Sequence, residues 1–229
     1  MSTTAASAGA GAGDVVIDVW SDLGCPWCYI GKHRLERAIN ARPDRGAFTM
    51  RMRSFELDPY MSSTATPVAE TFVKKHGGSA VQFREFESKL AERARHEGLD
   101  YEVDRPTANT HDVHRLTHLA AESGLDAIFF GAVQDAYFAG RLDPFDQDSL
   151  TRAAVTVGLE AGQVREVLRG GAYTAAVRAD QTQAAELGAS GVPFVVYGNK
   201  FATAGAQEVD GFRAALERVA PTPRDKERA

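Results

Sequence analysis

The sequence Ser21-Asp22-Leu23-Gly24-Cys25-Pro26-Trp27-Cys28 decides the fold, because it stands where a strand pattern changes into a helix pattern. Before it, residues 15–20 are β-branched and almost continuously apolar, which is typical of a strand covered on both faces. After it, apolar residues recur at helical spacing, namely Tyr29, Ile30, Leu35, Ala38 and Ile39. Both cysteines of the chain are therefore predicted to lie on the first turn of a helix.

The first turn of a helix suits a reactive cysteine. Its backbone N–H groups lack partners within the helix, and the helix dipole favours negative charge there, so a thiolate is stabilised. Pro26 fits this turn because its missing N–H costs no hydrogen bond and its φ angle is already helical. The two residues between Cys25 and Cys28 allow the sulfurs to meet, so the pair can cycle between dithiol and disulfide.

A redox site is favoured over half of a zinc site. A structural zinc ion usually needs four ligands, and the sequence has no second cysteine pair and no Cys-His module. We therefore expect neither a metal nor an organic cofactor, because the electrons reside in Cys25 and Cys28 themselves.

The composition narrows the class of protein. The chain has 229 residues, enough for one large domain or for a small domain with a sizeable insertion. Its net charge of −5, without a dense basic run, argues against nucleic acid as a partner, and no apolar run approaches the length of a membrane span. Residues 1–13 are predicted to be a disordered leader and not a secretion signal. We expect a cytoplasmic protein, where a lone Cys-x-x-Cys is usually catalytic or metal-binding.

The first part of the chain is predicted to form a βαβ unit. A strand begins at residue 14, the cysteine helix continues to about residue 42, and a second strand covers residues 47–55. Because such crossovers are right-handed and join neighbouring strands, we expect the two strands to be parallel.

The rest of the chain is predicted to be a helical block followed by a β-β-α unit. Helical patterns fill residues 61–187, and Thr66-Pro67 is interpreted as the N-cap and first residue of the first helix. Two strands on either side of a Gly198-Asn199 turn predict a hairpin, and a helix over about 207–219 follows. The charged tail, residues 221–229, should fray.

This order of elements, with Cys25-Pro26-Trp27-Cys28 at the first helix, resembles the thioredoxin fold, and the helical block resembles the DsbA branch of that superfamily. The expected fold class is α/β, with residues 14–60 and 188–220 forming a thioredoxin-like domain and residues 61–187 forming an all-helical insertion. A closer resemblance, to cytoplasmic FrnE-like members, rests on landmarks in matching order. They are WSD at 20–22, CPWCYIG at 25–31, FELDP at 55–59, NT at 109–110, HRL at 114–116, GVPF at 191–194 and GAQ at 205–207.

The resemblance implies thiol–disulfide exchange. Cys25 would be the attacking thiolate, and Cys28 the resolving thiol that attacks the mixed disulfide. Pro193 matches the family's cis-proline, which would lie against the cysteine pair and present the backbone of Val192 to an extended substrate. The alternative for Pro193 is an ordinary edge-strand proline. Trp27 either offers an apolar platform to substrate or packs half-buried, and with Pro26 it would support the active site.

Two aspartates are candidate proton acceptors for the resolving thiol. Asp18, on an otherwise apolar strand, would be either a buried acceptor behind the dithiol or a strand-end residue in contact with solvent. Asp22 is nearer to the cysteines, but we favour a turn residue that bonds its own loop backbone. His111, His114 and His118 form a stripe on one helical face, for which we favour polar surface or an inter-subdomain cleft over a metal site.

Two other functions remain open on the sequence. The 2-hydroxychromene-2-carboxylate isomerases and kappa-class glutathione transferases share some of the landmarks, so a glutathione-dependent isomerase or transferase is an alternative. Such enzymes typically have a Ser where Cys25 stands. A redox-switched binding or chaperone-like module is the other alternative. Expected partners are thiol or disulfide substrates, either proteins or small molecules such as glutathione, and a homodimer through the helical insertion is a further hypothesis.

Overall fold

A computed structural model describes residues 15–221 of the chain. The predicted leader and residues 222–229 of the predicted tail lie outside the described residues. None of the described helices is both long and apolar enough to cross a membrane.

The first part of the chain is the predicted βαβ unit. Strand β1 (Val15–Ser21) leads into helix α1 (Pro26–Asn40), and a short 3-10 helix (Arg45–Ala47) precedes strand β2 (Phe48–Ser54). The strands β1 and β2 are parallel neighbours, with Ser21 paired to Ser54 at the end of the ladder. The predicted parallel arrangement is therefore confirmed.

The middle of the chain is helical apart from one short ladder. Strands β3 (Thr66–Pro67) and β4 (Pro106–Thr107) form an antiparallel pair. The helices are α2 (Val68–His76), α3 (Ala80–His96), α4 (His111–Ala121), α5 (Asp126–Phe138), α6 (Gln147–Thr156), α7 (Ala161–Arg169) and α8 (Thr174–Glu186).

The predicted start of the first of these helices was wrong by one residue. Thr66-Pro67 was interpreted as an N-cap and first helical residue, but both residues are extended and α2 begins at Val68. The cause is tertiary pairing, because β4 offers the segment a partner strand and the Val68 N–H donates to the carbonyl of Arg105 at 3.1 Å.

The last part of the chain closes the sheet. Strand β5 (Phe194–Tyr197) runs antiparallel to β1, strand β6 (Phe201–Ala204) follows it in a hairpin, and helix α9 (Val209–Glu217) ends the fold. The strand order is β2-β1-β5-β6, which is a thioredoxin-like sheet assembled from both ends of the chain. The predicted fold class is confirmed.

Two buried carboxylates attach the helical middle to the sheet. Strand β2 lies at the sheet edge, where its outward N–H groups need partners. The carboxylate of Asp126 accepts the Met52 N–H at 2.7 Å, and that of Asp180 accepts the Ser54 N–H at 2.9 Å. The Trp20 indole also donates to the carbonyl of Asp180 at 2.8 Å. Helices α5 and α8 are thus held directly on the edge strand.

Candidate functional site

The turn between β1 and α1 is organised by Asp22. Its carboxylate accepts the N–H of Gly24 at 3.2 Å and the N–H of Leu57 at 2.7 Å, and its carbonyl accepts the Cys25 N–H at 3.3 Å. The side chain therefore bonds its own loop, as we favoured from the sequence. It also joins this turn to the segment that follows β2.

Cys25 occupies the N-cap position of α1. Its backbone is extended, with φ −83° and ψ 114°, while its carbonyl already accepts the Tyr29 N–H at 3.1 Å. Pro26 is the first helical residue. The sulfur of Cys25 therefore lies at the positive end of the helix dipole, where negative charge is favoured.

The cis peptide bond between Val192 and Pro193 lies against Cys25. The Cys25 thiol donates to the carbonyl of Val192, with 3.8 Å between sulfur and oxygen. Pro193 is also close to Gly31 on α1, where an added Cβ atom would lie 3.2 Å from its Cγ. The start of the first helix and the segment that leads into β5 therefore meet at one site. Cys25 and Val192 are 167 residues apart in the sequence.

Cys28 lies deeper than Cys25. Its exposed fraction is 1%, against 6% for Cys25, and both cysteines are free thiols. Burial raises the pKa of the Cys28 thiol well above its ordinary value, and the hydrogen bond and charge of Cys25 raise it further. The backbone of Asp22 and the hydroxyl of Ser21 act in the opposite direction. Cys28 is therefore protonated at neutral pH while its partner lies nearer to solvent.

Asp18 is not brought to the cysteine pair. Its carboxylate accepts from Arg53 Nε at 2.7 Å, and Arg53 Nη1 also lies 3.4 Å from Asp180 Oδ1. The residue is buried, so the solvent-exposed alternative does not apply, and its carboxylate is directed to Arg53. A role as proton acceptor for Cys28 stays a prediction. The side chain that acts on Cys28 from strand β1 is Ser21.

The sequence contains a signal that distinguishes these two strand residues. Side chains alternate between the faces of a strand, so Ser21 shares a face with Val19 and Ile17, and Asp18 shares the other face with Trp20. Val19 and Ile17 pack in the main core with residues of α1, whereas Trp20 packs in a separate cluster with Ala184 of α8. The alternation therefore predicts that Ser21, and not Asp18, faces the cysteine helix.

The histidine stripe faces acidic groups of other parts of the chain. His111 lies 3.3 Å from a Glu56 carboxylate oxygen, and His118 lies 3.1 Å from Asp180 Oδ2. His114 is fully buried, and neither ring nitrogen has a hydrogen-bond partner among residues 15–221. Within the described part of the chain, no group of three or more His, Cys, Asp or Glu side chains is arranged to hold a metal. His111 also lines an open groove.

An open groove of about 840 Å³ lies beside the active-site turn. It borders the segment in which Leu57 bonds Asp22. Its lining residues are Glu56, Pro59, Tyr60, Asn109, His111, Arg178, Gln181, Thr182 and Ala185. Trp27 is elsewhere engaged: it is half-buried against the core, and the Arg93 guanidinium lies 5.2 Å from its ring centroid. The groove is therefore lined by the segment after β2 together with residues of the helical insertion, and Trp27 is not among its lining residues.

A Cys-Pro-Trp-Cys helix facing a cis-proline on a four-stranded mixed sheet defines a protein of the thioredoxin superfamily. The family model described as "DSBA-like thioredoxin domain" matches residues 16–217, so the chain belongs to the DSBA-like thioredoxin domain family. The recognised resemblance to this family is thereby confirmed.

Solved structures agree with this assignment. A probable DsbA oxidoreductase from Streptomyces coelicolor is 40% identical, with a TM-score of 0.84, covering 90% of this chain and 89% of that chain. A 2-hydroxychromene-2-carboxylate isomerase is 18% identical, with a TM-score of 0.60, covering 89% of this chain and 95% of that chain. The cytosolic disulfide reductase DsbM from Pseudomonas aeruginosa, solved with GSH, is 16% identical, with a TM-score of 0.60, covering 89% and 98%. The last two likenesses concern the fold.

Proposed function

We propose that the protein is a thiol–disulfide oxidoreductase in which Cys25 is the attacking thiolate and Cys28 is the resolving thiol. The observation that carries this proposal is the arrangement around Cys25. Its sulfur sits at the N-cap of α1 and 3.8 Å from the carbonyl of Val192, with Cys28 buried behind it. A helix terminus favours the thiolate of the outer cysteine, which is the form that attacks a disulfide.

The reaction follows from the different depths of the two sulfurs. The Cys25 thiolate attacks one sulfur of a substrate disulfide, forming a mixed disulfide and releasing the other substrate sulfur as a thiolate. Cys28 then loses its proton and attacks the Cys25 sulfur. This step forms the Cys25–Cys28 disulfide and releases the second substrate thiol. The substrate gains two electrons and the protein loses two, and the reverse sequence oxidises a dithiol.

Val192 and Pro193 would position the substrate. The backbone carbonyl of Val192 lies 3.8 Å from the Cys25 sulfur. An extended stretch of substrate laid along Val192 would bring its disulfide sulfur to Cys25, because backbone hydrogen bonds fix an extended peptide in register. Pro26 and Trp27 support the site by holding the first turn of α1.

The test is insulin reduction by dithiothreitol. The wild-type protein should accelerate precipitation of the insulin chains, and Cys25→Ser should lose this activity. Cys28→Ser is the matched variant, because it should retain the attack by Cys25 but accumulate a mixed disulfide visible as added mass. Equal activity in Cys25→Ser and wild type would overturn the proposal.

Glutathione-dependent chemistry is the second candidate function. The observation that favours it is the groove of about 840 Å³ beside the site, with Arg178 and His111 among its lining residues, which is large enough for a small thiol. Saturable binding of glutathione to Cys28→Ser, together with turnover of an isomerase or transferase substrate, would support it. Client binding that is unchanged by reduction and by Cys25→Ser would instead favour a binding or chaperone-like module.

We further propose that the substrates are protein or small-molecule thiols and disulfides, glutathione among them. We also propose that the protein works in the cytoplasm. Support comes from the cysteine content, since both cysteines of the chain are in the site and none is left for a structural disulfide. Fractionation of the source cells tests the location. Light scattering of the purified chain tests the predicted homodimer.

A further inference from the structure

The resolving step poses a physical problem at Cys28. The sulfur must become a thiolate to attack the mixed disulfide, yet its side chain is 1% exposed and receives little help from water. A buried anion of this kind needs hydrogen-bond donors that are already in place.

The hydroxyl of Ser21 is a buried hydrogen-bond donor without a partner among the described residues. Ser21 is the last residue of β1, its exposed fraction is 1%, and its hydroxyl makes no ordinary hydrogen bond to any other residue within 15–221. Buried hydroxyls normally find a partner, so an unpaired one calls for an explanation. Ser21 lies on the face of β1 that packs against α1, and its hydroxyl lowers the pKa of the Cys28 thiol, although it forms no hydrogen bond in the resting dithiol state.

The backbone of the same turn acts in the same direction. The Asp22 backbone lowers the pKa of the Cys28 thiol, as a nearby N–H group does by favouring the thiolate. A protonated thiol is a weak acceptor, so both donors interact only weakly with the sulfur in the resting state. The interaction becomes strong when the thiolate forms, and an interaction that strengthens in this way accelerates the reaction step.

We propose that Ser21 is a further catalytic residue of the exchange reaction, whose hydroxyl donates a hydrogen bond to the Cys28 thiolate as this thiolate attacks the Cys25 mixed disulfide. This inference rests on the proposed function. In the step, the Cys28 proton passes to the thiolate released by the substrate or to solvent. The Cys28–Cys25 bond forms, and the bond between Cys25 and the substrate breaks. The departing substrate sulfur takes the electron pair of that bond.

The ionisable groups near Cys28 do not favour its thiolate. The titratable side chain among the causes of its raised pKa is Cys25, which disfavours the Cys28 thiolate while Cys25 is itself charged. Once Cys25 is in a mixed disulfide, that repulsion is gone. The Asp22 carboxylate is directed to the N–H groups of Gly24 and Leu57, and its Oδ1 lies 3.9 Å from His114 Nε2. Asp18 is held by Arg53.

Stopped-flow reaction with the aromatic disulfide known as Ellman's reagent separates the two steps. The attack by Cys25 releases one coloured thiolate at a rate proportional to reagent concentration. Resolution by Cys28 releases a second one at a rate independent of that concentration. The second phase, measured across pH, reports the ionisation of Cys28 in the mixed disulfide.

In Ser21→Ala we expect the second phase to slow and the first to stay within about twofold of wild type. Losing one hydrogen bond to a charged group corresponds to about a tenfold smaller thiolate fraction, so the pH midpoint should rise by about one unit. The remaining thiolate is more basic and hence more nucleophilic, so the net slowing at neutral pH should be about threefold. At pH values above both midpoints, the variant should equal or exceed the wild type.

Ser54→Ala is the matched control. Ser54 is the register partner of Ser21 on β2, it is equally buried, and its hydroxyl contacts His118 and not a cysteine. Its loss should leave the rate and the pH midpoint of the second phase unchanged. Ser21→Thr and Ser21→Val form a second pair of nearly equal shape, which decides the matter if Ser21→Ala fails to fold. Thr should retain the wild-type midpoint and Val should show the shifted one.

An unchanged second-phase rate and midpoint in Ser21→Ala, or an equal shift in Ser54→Ala, would overturn the role of Ser21. Failure of the proposed function has a different signature. In that case, the wild-type protein itself would show no second phase.

Discussion

Pro193 packs closely against Gly31 on the cysteine helix, because the glycine has no side chain to keep it away. A Cβ atom on Gly31 would lie 3.2 Å from Pro193 Cγ and 3.3 Å from Ala206 Cβ. Three of the sequence landmarks, at 25–31, 191–194 and 205–207, therefore meet at one point of close packing.

We predict that Gly31→Ala slows the attack by Cys25. The new methyl group must push Pro193 or Ala206 away, which displaces the Val192 carbonyl from the sulfur and destabilises the fold by about 1–2 kcal/mol. The first phase of the reaction with Ellman's reagent and urea unfolding measure the two effects. Gly46→Ala is the control, since nothing lies within 4 Å of its added Cβ. A first phase in Gly31→Ala as fast as in the control would contradict the prediction.

We predict that iodoacetamide modifies the reduced protein once at neutral pH, at Cys25. Cys28 should stay unmodified, because burial and the neighbouring Cys25 raise the pKa of its thiol. Peptide mass spectrometry after a timed reaction identifies the modified residue. In guanidinium chloride both cysteines should react, which serves as the control. Modification of Cys28 at the same rate as Cys25 in the folded protein would refute this order of reactivity.

We predict that Asp180→Ala destabilises the protein by about 3 kcal/mol. The substitution leaves the Ser54 N–H without its acceptor and removes the carboxylate that contacts His118 and Arg53. The free energy of unfolding in urea measures the loss. Asp100→Ala removes an exposed ion pair with Arg141 and should cost less than about 1 kcal/mol. Equal losses in the two variants would show that burial of Asp180 contributes nothing.

We predict that His114→Phe makes stability less dependent on pH between about 5 and 7. Burial lowers the pKa of His114 below its ordinary value of 6.5, so the unfolded chain binds this proton first as pH falls. The contribution of His114 to the free energy of unfolding therefore decreases as pH falls below about 6.5 and is unaffected above it.

The variant isolates that contribution. Phe cannot be protonated, preserves an aromatic ring beside Phe130, and removes two ring nitrogens that make no hydrogen bond to any described residue. The difference in unfolding free energy between variant and wild type should grow in favour of the variant as pH falls from 7 to 5, by up to about 1.4 kcal/mol per pH unit. A difference that is constant with pH would show that His114 does not titrate in this range. His96→Phe, at an exposed histidine, is the control.

The sequence predicted the fold because local patterns and the cysteine spacing agree. The apolar run at 15–20, the proline inside the Cys-x-x-Cys pair and the Gly198-Asn199 turn each favour one local structure. The predicted helix start at Thr66-Pro67 was wrong because a partner strand about forty residues away determines the conformation of this segment. Local propensity does not report such a partner. The ion pair of Asp18 with Arg53 on β2 is likewise a contact between two strands, which local sequence pattern does not report.

The positions of the two cysteines in the candidate site were predictable from the sequence, and the groups that surround them were less so. Cys25 and Cys28 follow from spacing and helix position. Ser21 required the alternation of strand faces to be followed to the last residue of β1, where the pattern already turns into the loop. The contacts of Asp22 with Leu57 and of Asp180 with Ser54 depend on which segments meet in three dimensions.

The attachment of α5 and α8 to the edge of β2 makes the chain hard to divide. The sheet takes β1 and β2 from the first part of the chain and β5 and β6 from the last, while the helices between them supply acceptors to the edge strand. A shortened chain in which a linker replaces the helices would expose that edge to pairing with other molecules. We therefore expect the shortened chain to aggregate. The chain that retains its helices should unfold in a single cooperative transition.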